Sequence, residues 1–174
     1  MFLNFFFIQY INKCFTNKYN NIYLNINMTY IIREIKENDY IEYKNILLQL
    51  KNTKDFTIDK FIKILKLCKK QDSQLICLIL EEKIIGIAKF FYDIKFGESK
   101  GFIDDVVIDK KYRNKGYGTI IINYLLELSK KKNCYIVYII SHLENKTYYE
   151  KLNFNNDKLI FHKYLLNSEA KSLN

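Results

Sequence analysis

Along most of the chain, apolar positions follow one of the two spacings that mark strands and helices. Thr29 to Ile35 is β-branched and aromatic with a period of two, which predicts a first strand. Asn38 or Asp39 caps the helix that follows. Its apolar face carries Ile41, Ile46, Leu47 and Leu50, and the polar stretch Lys51 to Asp55 ends it. Thr57 is the N-cap of a second helix, with Phe61, Ile64, Leu65 and Cys68 inward and a solvated row of Lys60, Lys63, Lys66 and Lys70. Gln74 to Leu80 and Lys83 to Tyr92 flank the tight pair Glu81-Glu82 and read as an antiparallel hairpin. Phe102 to Asp109 is a further strand, and a helix runs from Gly118 to about Lys131. Tyr135 to Ile140 is a strand, Asn145 to Leu152 a short helix, and Leu159 to Leu166 a last strand. Such an order predicts an α/β fold built on a central mixed sheet.

The length of 174 residues suits one core. Strand-like sequence starts just after Met28, so residues 28–168 read as one domain and 169–174 as a C-terminal tail. Residues 1–27 read as a poorly ordered extension, or as sequence upstream of a start at Met28. Their apolar run Phe2-Leu3-Asn4-Phe5-Phe6-Phe7-Ile8 has no basic residue before it and no small-x-small site after it, unlike a signal peptide.

Charge narrows the partner. With 28 Lys and Arg against 19 Asp and Glu, the net charge is +9, which favours an acidic ligand: a phosphorylated metabolite, a coenzyme pyrophosphate, nucleic acid or an anionic membrane. No stretch reaches the roughly 18 apolar residues of a membrane span. Basic residues are dispersed and no aromatic RNA platform is present, which argues against nucleic acid. Cys14, Cys68, Cys77 and Cys134 form no C-x-x-C, and His142 and His162 complete no zinc spacing. This predicts free thiols, a reducing, cytoplasmic compartment and no metal.

Chemistry concentrates in Val106-Val107-Ile108-Asp109-Lys110-Lys111-Tyr112-Arg113-Asn114-Lys115-Gly116-Tyr117-Gly118. Here a strand enters a basic, glycine-bearing turn that opens a helix, so backbone N–H groups and the helix dipole converge on one spot. Such a nest suits phosphate, with Gly116 and Gly118 allowing close approach and Arg113 and Lys115 adding charge. It is neither a Walker A loop, having no G-K-[ST], nor a dinucleotide fingerprint, whose leading glycine is missing.

The R-x-x-G-x-G spacing of Arg113, Gly116 and Gly118, set between strand and helix, resembles the signature of the GNAT superfamily of acetyl-CoA-dependent N-acetyltransferases. The resemblance extends from Thr29 to near Leu166 and implies the GNAT fold: a mixed, mostly antiparallel sheet with helices on both faces. It also implies that Val106, Val107 and Ile108 hold the pantetheine of acetyl-CoA, and that the turn from Arg113 through Asn114, Lys115, Gly116 and Tyr117 to Gly118 holds its pyrophosphate. Three further segments resemble one branch of that superfamily, the glucosamine 6-phosphate N-acetyltransferases: Asp104-Asp105-Val106-Val107, Ser129-Lys130-Lys131-Lys132-Asn133-Cys134-Tyr135, and Glu144-Asn145-Lys146-Thr147-Tyr148-Tyr149-Glu150-Lys151-Leu152-Asn153-Phe154.

The resemblance implies transfer of acetyl to the amine of D-glucosamine 6-phosphate, a step toward UDP-N-acetylglucosamine, by direct attack on the thioester. Asp104 and Asp105 would contact the sugar and its amine, Asn145 would touch coenzyme A, and Tyr149 would protonate the departing thiolate. Lys163, where the family has arginine, and Lys95 are the candidates for the sugar phosphate. The base is a water or a backbone carbonyl ahead of His142. A homodimer is implied. A protein N-terminus or a polyamine is the alternative acceptor, and a non-catalytic basic domain that binds coenzyme A or nucleic acid is the alternative class.

Overall fold

The computed structural model describes residues 21–25, 28–50 and 56–156. Among the described residues six strands form one sheet in sequence order: β1 (Asn21–Asn25), β2 (Met28–Glu34), β3 (Gln74–Leu80), β4 (Lys83–Lys95), β5 (Glu98–Ile108) and β6 (Cys134–Ile139). Every neighbouring pair is antiparallel except β5 and β6, which are parallel. The helices are α1 (Tyr40–Leu47), α2 (Ile58–Lys70), α3 (Tyr117–Lys131) and α4 (Lys146–Glu150). The sheet is the mixed, mostly antiparallel one expected of an α/β fold.

The chain divides into two compact units, one ending at Ile140 and one beginning at Ser141. In the first, α1 and α2 cover one face of the sheet. Tyr43, Ile46 and Leu47 from α1 and Phe61 and Cys68 from α2 bury against Leu75, Cys77, Ile84, Ile87 and Val107. Burial of a large apolar side chain contributes roughly 1.5–3 kcal/mol, so this cluster anchors both helices. The opposite face belongs to α3, whose Ile121, Ile122 and Leu125 are fully buried. Gly86 makes that approach possible: a Cβ there would stand 2.6 Å from Ile108 Cδ1 and 2.9 Å from Ile121 Cδ1. The strand end and the helix therefore close over a position without a side chain.

Several local expectations hold. Thr57 accepts the Lys60 N–H at the start of α2. Glu81 and Glu82 have φ of 49° and 64°, the left-handed pair a two-residue hairpin turn requires. Four differ. Ile41 and Leu50 are exposed and Tyr43 takes the inward place on α1, because its ring reaches Phe61 at 5.2 Å between centroids. Ile64 of α2 is likewise more exposed than a core residue. Asp39 stands at the N-cap of α1, but its carboxylate accepts the Lys36 N–H and pairs with Arg33 at 2.6 and 2.9 Å.

The fourth difference concerns strand bounds. The strands expected to end at Tyr92 and to begin at Phe102 continue to Lys95 (β4) and start from Glu98 (β5), joined by Phe96-Gly97 with φ of 46° and 84°. This polar ribbon carries little apolar alternation, so its pattern does not read as strand. Strand pairing also begins earlier than Thr29: Asn21–Asn25 runs antiparallel to β2, within the stretch assigned to the extension. The last strand expected over 159–166 and the tail at 169–174 lie outside the described residues.

Candidate active site

The site grows out of β5. On one side β5 pairs with β4 as far as Ile108 opposite Gly86. On the other, its parallel ladder with β6 runs only from Ser99 to Ile103. Past Ile103 the two parallel strands part, and among the described residues that edge of Val106 to Ile108 has no ladder partner. An extended ligand can use such an edge as an added strand would.

A bulge sits where the strands part. Ile87 faces Val107 and Lys89 faces Asp104, so three residue steps on β5 span two on β4. Asp105 takes the extra place with φ of 48°, a left-handed conformation that Asp tolerates better than most residues. Asp104 is exposed, and its Oδ1 accepts the Asp105 N–H at 2.9 Å. Below them lies Tyr43, whose phenol is held above its ordinary pKa first by burial and then by the charge of Asp105.

Beyond Ile108 the chain makes a short 3-10 turn, Lys110–Tyr112, capped by Asp109, whose carboxylate accepts the Lys111 N–H at 2.9 Å. Asn114 and Gly116 then adopt φ of 61° and 84°, and α3 begins. The Gly116 carbonyl accepts the Ile120 N–H, leaving the N–H groups of the first turn without helical partners. A Cβ at Gly116 would meet no atom within 4 Å, so the space over this turn is open.

Side chains in the loop do more structural work than the motif alone suggests. Arg113 donates from Nε to the Ile108 carbonyl at 2.9 Å, so its guanidinium fastens the loop back onto the strand end. Tyr117 is buried and packs edge-on to Tyr112 at 6.3 Å, so it offers the loop its backbone. Lys115 Nζ lies over the Tyr112 ring at 5.7 Å. Gln49, which no motif marks, accepts the Lys110 N–H at 2.9 Å and donates to Asp109 at 3.3 Å. Its only sequence signal is a polar residue beside the break after α1.

Asn145 and Tyr149 belong to the second unit. A 3-10 turn, Leu143–Asn145, leads into α4, and Asn145 donates to Ser141 Oγ at 3.1 Å. Tyr149 packs against Tyr148 at 5.0 Å and Phe154 at 5.9 Å. Burial raises its phenol pKa, against an opposing hydrogen bond with Ser141. Asn153 closes the helix with φ of 63°, where the resembled motif has glycine. His142 is exposed at the start of this unit.

The backbone of Lys95 stands apart from the acidic pair. Lys95 pairs with Glu98 at the hairpin end, six residues along β4 from Lys89, which faces Asp104. At about 3.3 Å per residue this is roughly 20 Å. Lys163 lies outside the described residues.

Known proteins resemble this chain in sequence and fold. Residues 31–154 match the family model described as the acetyltransferase (GNAT) family. The chain is 33% identical over 99 residues to a glucosamine 6-phosphate N-acetyltransferase of Arabidopsis thaliana, an alignment covering 53% of this chain and 66% of that protein. It is 40% identical over 75 residues to one from Trypanosoma brucei brucei, covering 41% and 51%. These alignments thus span about half to two thirds of the curated relatives' length. The crystal structure of the Arabidopsis thaliana glucosamine-6-phosphate N-acetyltransferase superposes with a TM-score of 0.73 at 27% identity, covering 79% of this chain and 99% of that one. With the parted parallel strands, the glycine loop and a family match over most of its length, the chain belongs to the acetyltransferase (GNAT) family.

Proposed function

We propose that the protein transfers an acetyl group from acetyl-CoA to the amino group of D-glucosamine 6-phosphate. One observation carries this: the Asp104-Asp105 bulge lies on the strand that leads into the open loop at Gly116, just where that strand leaves its parallel neighbour. Carboxylates suited to hydroxyl and ammonium groups thus stand at one end of an edge whose other end suits a pyrophosphate. The two curated relatives described above, both named glucosamine 6-phosphate N-acetyltransferases, support the choice of acceptor.

In this reading the loop and the N-terminus of α3 hold the pyrophosphate, and backbone groups of Val106 to Ile108 receive the pantetheine arm. Asp104 and Asp105 orient the sugar so that its amine faces the thioester carbonyl. The neutral amine attacks that carbon, the C–N bond forms, and the tetrahedral oxyanion collapses with cleavage of the C–S bond. The nitrogen gives up a proton to water or a backbone carbonyl in preference to His142. The thiolate takes one from Tyr149, a general-acid role that a phenol with a raised pKa can fill at neutral pH. Asn145 contacts coenzyme A, and Lys163 supplies charge to the sugar phosphate as a point cation rather than a bidentate fork.

Release of free thiol from acetyl-CoA, followed with glucosamine 6-phosphate, glucosamine, spermidine and a peptide amine, tests the assignment. Turnover confined to glucosamine 6-phosphate is expected. Turnover with spermidine or peptide alone would discard the sugar while leaving the family intact.

A further inference from the structure

The coenzyme loop is tied to a helix distant in sequence. Gln49 lies in the turn that ends α1, where its own N–H is bonded to the Ile46 carbonyl at 3.0 Å. The helix beneath it is fixed: Tyr43, Ile46 and Leu47 are buried, and Glu42 accepts the Ile84 N–H of β4 at 2.7 Å. From this platform the Gln49 side chain spans the start of the loop, 60 residues downstream. Its Oε1 accepts the Lys110 N–H at 2.9 Å and lies 3.5 Å from an Arg113 guanidinium nitrogen. Its Nε2 donates to Asp109 Oδ2 at 3.3 Å.

These partners fix the amide. One neighbour is a backbone donor and the other a carboxylate acceptor, so the reverse orientation would oppose donor to donor and acceptor to acceptor. They also divide the labour of Asp109. One carboxylate oxygen caps the Lys111 N–H and the other receives Gln49, so both are held as the chain leaves β5. With Arg113 fastened to the Ile108 carbonyl, the path from 108 to 113 is set before the chain turns at Asn114 and Gly116 into the open loop. Pre-setting a loop removes an ordering cost that binding would otherwise carry.

We infer that Gln49 is a positioning residue: by spanning the Lys110 N–H and the Asp109 carboxylate, it holds the coenzyme loop in its ligand-ready path. This rests on the proposal that the loop binds the pyrophosphate of acetyl-CoA. Gln49 touches no reacting atom, so its loss acts on coenzyme binding and not on the chemical step.

The test uses the full chain. Gln49→Met keeps length and volume without hydrogen bonds, and Gln49→Asn keeps an amide one methylene too short to span both partners. Each is compared with wild type for coenzyme A binding by calorimetry, for kcat and both KM values, and for amide exchange at Lys110. Two lost hydrogen bonds correspond to about tenfold weaker coenzyme binding. The expected result is that loss, a matching rise in KM for acetyl-CoA, kcat and the amine KM within about twofold, and faster exchange at Lys110. Coenzyme binding within twofold of wild type in either folded variant overturns the inference. So does a lower kcat and thermal stability with both KM values raised alike, which marks a merely structural residue. Failure of the loop assignment is separate: Gly116→Ala would then leave coenzyme A binding unchanged as well, and the role of Gln49 falls with it.

Discussion

Replacing Gly116 by alanine separates the two reasons a glycine can be needed. Its φ is 84° and ψ −5°, and a Cβ there meets nothing within 4 Å. The packing contribution is therefore nil, and the penalty is the left-handed backbone alone, roughly 1–2 kcal/mol. For a chain of this size, 1 kcal/mol moves Tm by about 2–4 °C, so Gly116→Ala is expected to melt about 2–8 °C lower in differential scanning fluorimetry. Gly116→Asn is expected to lose less than half of that, because asparagine visits the left-handed region readily. Coenzyme A binding orders the variants differently. Any side chain at 116 stands where an anion must approach the backbone, and a lost charge-assisted hydrogen bond is worth roughly 1.5–3 kcal/mol. Calorimetry is expected to find binding weakened roughly 10–100-fold in both variants. A Gly116→Asn protein that binds coenzyme A as wild type does, while Gly116→Ala is destabilised as expected, would refute close approach at this turn.

Three other perturbations test the neighbouring elements. At Asp105, glycine fits the φ of 48° and alanine does not, so Asp105→Ala is expected to be about 1 kcal/mol less stable than Asp105→Gly while both lose acetyl transfer; equal melting temperatures would argue against the left-handed bulge. Tyr149→Phe is expected to lower kcat about 100-fold in the thiol-release assay. Because the wild-type phenol titrates above its ordinary value, any alkaline loss of activity through it falls above about pH 10. Asp39 lies below its ordinary pKa; burial opposes this, but the bonds from Arg33 and Lys36 outweigh it. Its stabilisation is present above the unfolded value of about 3.9 and lost as pH falls through the folded one. Asp39→Asn is thus expected to melt lower near pH 7 by the equivalent of about 1–2 kcal/mol, with the gap closing below pH 3.9. A gap of constant size in thermal melts at pH 7 and pH 2 would discount the ion pair.

Local chemistry was legible where a residue's neighbours in sequence are also its partners. Thr57 caps its own helix, Glu81-Glu82 makes its own turn, and the strand, loop and helix around Gly116 are contiguous. Features set across the sheet were not. The bulge at Asp105 exists only relative to the count of residues on β4, so no pattern within β5 announces it. Tyr43 displaces Ile41 from the core because its ring meets Phe61 of another helix, a contact the α1 sequence does not contain. Gln49 is invisible for the same reason: its partners begin 60 residues away. The ribbon around Phe96-Gly97 was missed because its buried positions on β5 are Ser99 and Gly101, whose side chains give no apolar alternation to read.

The acidic pair and the glycine loop are linked by more than adjacency. An extra residue on one strand increases its right-handed twist locally and bends it away from its neighbours. On β5 that residue is Asp105, and the parallel ladder to β6 ends at Ile103, two positions earlier. The bulge thus supplies a reason for the parting of the strands: it turns the end of β5 while pairing with β4 resumes at Val107 and Ile108. The same turn sets where β5 delivers the chain to Asp109, hence where Gln49 and Arg113 must reach to hold the loop. Gly86 completes the arrangement by letting Ile108 and Ile121 close at the point where the turned strand meets α3. One inserted residue therefore places the carboxylates, opens the edge between the strands and fixes the origin of the anion-binding loop. A change that straightened β5 would be expected to disturb acceptor and coenzyme binding together.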